Sequence, residues 1–220
     1  MEFFSRHFKA AAWDARGYGD SEDYEGPLRF EDFTGDVLRV AERLRAHKLH
    51  LVGLSMGGRI ARNVALAAPE RVQSLVLIST SPGFDALSTD SVKRFVAERR
   101  THTPQSLRRL LGSGPSYAAY QELLDSVARV REPMYQKTLN ASVTQDRTAA
   151  LEKIVVPTLV MAGEEDTVYP PELARGMARR IPGAELVIFE RTGHLANLEQ
   201  PARFNQVVFD FLARHRSRMK

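Results

Sequence analysis

Five short apolar runs, each closed by turn residues, constrain this chain more than any other feature: Phe8–Asp14, Leu49–Leu54, Ser74–Thr80, Pro157–Gly163 and Ala184–Glu190. Each is apolar nearly throughout instead of alternating, as strands buried on both faces are. Between the first two, Phe30, Phe33, Val37, Leu38, Ala41 and Leu44 form one helical stripe, with Glu31, Asp32, Asp36, Arg39, Glu42 and Arg43 elsewhere around the turn. That is the pattern of an amphipathic crossover helix. Further helices are expected from Ser55 to about Ala68, from Pro171 to about Arg180 and from Pro201 to His215, the last burying Phe204, Val207, Val208, Phe211 and Leu212. Strands alternating with helices predict an α/β fold, a mainly parallel sheet with helices on both faces.

One stretch breaks the alternation. Residues 85–153 hold no good strand and read as several helices punctuated by "THTP", "GSGP" and "REP". A structureless connection of that length would be improbable in a compact domain, so it is expected to be a helical insertion. The organisation expected is thus a core of residues 1–84 and 154–220 carrying an inserted helical segment, 85–153.

A chain of 220 residues with 43% hydrophobic residues can bury one sizeable core. It has no cysteine, which excludes disulfides, thiolate metal sites and a thiol nucleophile. The N-terminal "MEFFSRHFKAAAWD" is interrupted by Glu2, Arg6, His7 and Lys9, and no later stretch is long and apolar enough to span a bilayer. The expectation is a cytoplasmic protein with no membrane partner. The net charge of +4 raises the question of nucleic acid. The basic residues are scattered, however, apart from Arg99-Arg100, Arg108-Arg109 and the tail "ARHRSRMK", and no aromatics interleave with them. No nucleic-acid partner, cofactor or metal is expected. The run Lys93, Arg94, Arg99, Arg100, Arg108, Arg109 reads better as a solvated helix face than as a binder of acidic ligands.

The segment "GLSMGG", Gly53–Gly58, follows the second apolar run and precedes the helix-compatible "RIARNVALAA". In G-x-S-x-G the chain reverses sharply from strand to helix, which strains the serine backbone and leaves no room for neighbouring Cβ atoms, a demand met here by Gly53, Ser55 and Gly57. Such a serine needs a base, and the base a carboxylate to orient it. Asp166 lies just past the run ending at Gly163, and His194 just past the run ending near Glu190, so Ser55, Asp166 and His194 each follow a strand. Glu164 and Glu165 are rivals to Asp166, which could also be a turn or helix-start aspartate. His7, His47, His50, His102 and His215 fall near the start, around a helix end, in the insertion or in the tail, where solvated or structural roles fit better.

The stretches "AAAWDARGYGDSEDY", "HKLHLVGLSMGG", "APERVQSLVLISTSPG", "VPTLVMAGEEDTVYPP" and "RTGHLANLEQPARFNQVVFDFL" together resemble the α/β-hydrolase superfamily, over nearly the whole chain except the insertion. The nearest likeness is to esterases, 3-oxoadipate enol-lactonases and cofactor-free haloperoxidases. The resemblance implies Ser55 as nucleophile, His194 as general base, Asp166 as its orienting acid, the Met56 backbone N–H as an oxyanion donor, and residues 85–153 as a cap over the pocket. It argues against epoxide hydrolases and haloalkane dehalogenases, which carry aspartate where Ser55 stands. The implied activity is hydrolysis of a small ester or lactone through an acyl-enzyme. A serine-dependent C–C bond hydrolase, a perhydrolase or a nearly inactive small-molecule binder would share the scaffold.

The likeness departs at the N-terminus. Relatives begin with further strands, the third followed by a His-Gly turn that supplies a second oxyanion donor, and neither is in this sequence. Without the third strand, the Phe8–Asp14 and Leu49–Leu54 strands must pair directly or leave an edge open to another copy. Weak stability with self-association is the expected outcome. Sedimentation velocity over a concentration series checks it: a strictly monomeric, cooperatively unfolding protein would contradict it.

Overall fold

A computed structural model describes residues 1–101, 103–114 and 117–216. His102, the side chains of Arg99 and Arg100 and the last four residues of the basic tail lie outside the described residues. Four strands, β1 (Leu49–Leu54), β2 (Val72–Ile78), β3 (Thr158–Gly163) and β4 (Glu185–Phe189), form one parallel sheet in the order β1-β2-β3-β4. Helices α1 (Glu2–Ser5) and α2 (Asp32–Arg43) precede β1, and α3 (Met56–Ala67) connects β1 to β2. Between β2 and β3 come α4 (Thr89–Thr101), α5 (Pro104–Arg108), α6 (Tyr117–Val127) and α7 (Glu132–Gln145). Helix α8 (Pro171–Arg180) connects β3 to β4, and α9 (Ala196–Glu199) and α10 (Pro201–Arg214) close the chain. This is an α/β architecture with helices on both faces of the sheet.

The unbroken apolar runs follow from that layering. Along β2, Leu75 and Leu77 point into one core with Val64 of α3 and Met177 of α8, while Val76 and Ile78 point into a second with Phe204, Val208 and Phe211 of α10. Strand β3 divides likewise, Val160 and Ala162 to the first core, Leu159 and Met161 to the second. Because side chains alternate between faces, a strand covered on both is apolar along most of its length. Each of the larger of these side chains (Val, Leu, Ile, Met, Phe), fully buried, contributes roughly 1.5–3 kcal/mol over leaving it exposed.

The expected strand at Phe8–Asp14 does not form: the segment joins no ladder. Its middle is Ala10–Ala12, with Ala11 and Ala12 exposed, and alanine has little tendency to pack on a pleated surface. Its larger side chains dock singly, Phe8 against His50 and Phe209, Trp13 against Phe33. Strand β1 therefore pairs on one side only, with β2, and Val52 on it is 46% exposed. The basic side chains Lys93, Arg94, Arg108 and Arg109 are exposed, as a solvated face requires. Among the described residues no helix is long and apolar enough to cross a membrane.

The inserted helices are tied to the sheet through buried charge. Asp146, just after α7, accepts from Arg59 Nη1 at 2.8 Å and from Arg62 Nη2 at 2.6 Å, both on α3, and Arg59 Nη2 donates to Ser142 Oγ at 2.6 Å. The Arg59 guanidinium lies between the rings of Phe30 and Phe84, 5.0 and 4.5 Å from their centroids. All three charged groups are at most 3% exposed. Deleting the one carboxylate would leave two guanidiniums uncompensated in a dry interior. Asp146→Ala should therefore destabilise the protein by about 3–5 kcal/mol. Urea unfolding monitored by circular dichroism measures this, and a loss under about 1 kcal/mol, the level of an exposed ion pair, would show that the network carries little.

Candidate active site

The parallel sheet brings the carboxyl ends of β1, β3 and β4 to one edge, and each is followed by one of the residues singled out above. Ser55 sits between β1 and α3 with φ 55° and ψ −116°, a left-handed conformation rare for a residue with a Cβ. It is held from both sides: its N–H donates to the Ile78 carbonyl at 2.9 Å, and its own carbonyl accepts from Thr80 Oγ1 at 2.7 Å. Strain over-determined in this way is typical of functional positions.

The glycines around the elbow divide differently from expectation. A Cβ on Gly53 would lie 2.2 Å from the Gly57 carbonyl oxygen, a main-chain atom that cannot swing away. On Gly58 it would lie 2.8 Å from Thr80 Cβ. A Cβ on Gly57 meets nothing within 4 Å, so the crowding assigned to Gly57 belongs to Gly58. The reversal folds the first turn of α3 back over Gly53, while Gly57 itself faces open space.

Asp166 and His194 come together in the interior. His194 Nδ1 lies 2.9 Å from Asp166 Oδ2, with His194 2% and Asp166 3% exposed. The other carboxylate oxygen, Oδ1, accepts the backbone N–H groups of Val168 at 2.8 Å and Tyr169 at 3.0 Å. One oxygen is thus anchored by its own loop, and the second is left to the imidazole. Burial pushes the Asp166 carboxyl upward, but the facing His194, its hydrogen bond and the two N–H groups together hold it below the usual range. With an ionised carboxylate at Nδ1, the proton sits on Nδ1 and the Nε2 lone pair is available as an acceptor.

The rivals to Asp166 are engaged elsewhere. Glu164 accepts from the Arg191 N–H, and Glu165 from both Oγ and N–H of Ser113 in the inserted segment, bonds that lower the Glu165 pKa. His50 bonds Ser74 Oγ, and the rings of His7 and His215 pack on Phe209 and Phe211. Among the described residues Ser55 and His194 make no direct hydrogen bond, a contact that catalytic pairs commonly tighten only around substrate. Met56 opens α3, so its N–H has no acceptor within the helix and points where negative charge is favoured. Three other groups carry weight that no motif flagged: Thr80 under the elbow, Arg59 one turn along α3, and Glu199, which binds main-chain N–H groups around His194.

Two outcomes are expected. Gly53→Ala should abolish folding or elbow geometry while Gly57→Ala folds normally; equal behaviour of the two by thermal melting would contradict the packing described. The lowered pKa of Asp166 stabilises the folded state above the carboxyl's unfolded value and that contribution fades as pH falls below about 4. The stability difference between wild type and Asp166→Asn should accordingly be constant near neutrality and shrink below that pH; a difference independent of pH would contradict it.

Comparison with known proteins agrees with the fold. Residues 1–207 match the family model described as "Alpha/beta hydrolase family". The chain is 31% identical to a 2-hydroxy-6-oxononadienedioate/2-hydroxy-6-oxononatrienedioate hydrolase of Paraburkholderia phymatum, over 96% of this chain and 78% of that protein. A hydrolase from Pseudomonas aeruginosa superposes with TM-score 0.83 at 29% identity, over 96% of this chain and 82% of that one. The enol-lactonase of Burkholderia xenovorans superposes with TM-score 0.80 at 28% identity, over 96% and 83%. With its strained serine, its buried carboxylate–histidine pair and its four-stranded parallel sheet, the chain belongs to the alpha/beta hydrolase family.

Proposed function

We propose that this protein is a serine hydrolase that cleaves a small carboxylic ester or lactone through an acyl-enzyme. The observation that carries the reading is the buried Asp166–His194 bond on the same sheet edge as Ser55, whose backbone is strained. Ser55 Oγ attacks the carbonyl carbon as its proton passes to His194 Nε2. Asp166 holds the imidazole by Nδ1 and stabilises the imidazolium that forms. The Met56 N–H faces the oxyanion. His194 then protonates the leaving alkoxide, and a water activated by the same nitrogen hydrolyses the acyl-enzyme. In this reading residues 85–153 are the cap that sets which acyl groups enter. The similarity to an enol-lactonase supports a lactone or ester carbonyl as the group attacked.

A second reading, hydrolytic cleavage of a carbon–carbon bond beside a ketone, is favoured by the names of curated relatives at 30–31% identity. It would use the same residues on a different substrate. Turnover of p-nitrophenyl acetate and of simple lactones, set beside turnover of a vinylogous 1,5-diketo acid, separates the two.

Ser55→Ala should lower ester turnover by roughly 10⁴–10⁶-fold and remove labelling by a fluorophosphonate. Full activity in that variant, or a label on another residue, would overturn the assignment. Activity should be lost toward acid pH, since the base must be neutral to accept the proton, and His194→Ala should remove that limb. A profile flat toward acid pH with chemistry rate-limiting would count against His194.

A further inference from the structure

The main chain on either side of His194 is bound by one side chain that the mechanism does not use. Glu199 ends α9, five residues after the histidine. Its carboxylate accepts the Gly193 N–H at 3.0 and 3.1 Å to its two oxygens, the Leu195 N–H at 3.3 Å and the Gly112 N–H at 2.7 Å. The N–H of His194 itself donates to the Leu110 carbonyl at 2.7 Å. Three successive amides, 193–195, are therefore held, two by Glu199 and one by the inserted segment, and Gly112 of that segment shares the same carboxylate.

The geometry leaves little slack. A Cβ on Gly112 would lie 2.7 Å from the Gly193 nitrogen, and one on Gly193 would lie 2.6 Å from the Gly112 nitrogen. The two main chains touch, and only glycine at both positions lets their N–H groups converge on one carboxylate. Bonds from N–H groups to an ionised acceptor are shorter and stronger than neutral ones. Asp166 is placed separately, by the Val168 and Tyr169 amides. The distance between acid and base thus depends on two independent anchors, one under each residue, and Glu199 is the anchor under the base.

We propose that Glu199 is a positioning residue for His194, and that it couples the base to the inserted segment through Gly112. The proposal rests on the serine-hydrolase reading for its kinetic consequence, though not for its structural one. A shift of about 1 Å in a reacting group can cost on the order of 10²-fold in rate. Loosening the 193–195 main chain should therefore weaken the chemical step.

The test compares wild type with Glu199→Gln, Glu199→Ala and, as a distant control, Glu185→Ala, each checked for folding by circular dichroism. Steady-state kinetics on p-nitrophenyl acetate are paired with the low-field proton resonance of the His194 Nδ1–H that faces Asp166. Expected for Glu199→Ala is a fall in kcat of about 10–100-fold with KM changed by less than about twofold, together with displacement or exchange loss of the low-field signal. Glu199→Gln, which keeps one acceptor oxygen and the side-chain shape, should recover part of both. Unchanged kcat and an unchanged resonance in both variants would overturn the proposal, as would a rise in KM at constant kcat, which would mean that Glu199 only shapes the pocket. A folded wild type that shows the resonance but hydrolyses neither esters nor lactones would overturn the serine-hydrolase reading instead, and the resonance alone would then decide the role of Glu199.

Discussion

Every parallel crossover in this fold returns the chain to start its next strand in the same direction, so the loops that leave β1, β3 and β4 all open at one edge of the sheet. That constraint gathers Ser55, Asp166 and His194, which are far apart in the chain. Each loop is short, and the central strands β2 and β3 are buried on both faces, so the sheet beneath the loops is a rigid support. The proposed hydrolysis would need groups placed to within a fraction of an ångström, and the sheet edge supplies that reference.

The fine placement is done by main chain against main chain. A Cβ on Gly163 would fall 2.0 Å from the Gly193 carbonyl oxygen, so the end of β3 and the loop after β4 are in direct contact. Gly112 of the insertion closes onto the same loop, and two carboxylates, Glu165 and Glu199, accept N–H groups of the inserted segment at Ser113 and Gly112. Loops ordinarily carry more freedom than the elements they join. Here glycine contacts and charge-assisted hydrogen bonds remove it from the two loops that hold Asp166 and His194.

A second attachment of the insertion lies at its other end, where Asp146 meets Arg59 and Arg62 on the helix that begins at the elbow. Two guanidiniums on a single buried carboxylate are a weak route to net stability, since desolvation offsets most of the attraction. Their consequence is positional: α7 cannot slide on α3 without separating buried charges. Helix α3 carries Met56 at its first turn and Arg59 at its second, so the elbow and the insertion share one rigid support.

Periodicity and turn residues were enough to place β1 to β4, α2, α3, α8 and α10 to within a few residues, because buried strands and amphipathic helices write their environment into every position. The order of Ser55, Asp166 and His194 after three strands was legible for the same reason. Other features depended on what lies opposite in space. Phe8–Asp14 is an apolar run like those of the strands, yet a strand exists only by pairing, and no strand pairs with it among the described residues. Asp166, Glu164 and Glu165 are equivalent as a string of acids; only the fold turns Asp166 toward His194 and the other two toward Arg191 and Ser113. Gly57 and Gly58 look interchangeable until Thr80 is packed against one of them. Arg59, Asp146 and Glu199 carry no local signature, since an ion pair across 87 residues or a carboxylate reaching back to Gly112 is a relation between distant segments. Local patterning therefore determined the elements and the places where chemistry can stand, and the tertiary structure decided which neighbours meet there, because hydrogen-bond and steric complementarity act across space and leave no period along the chain.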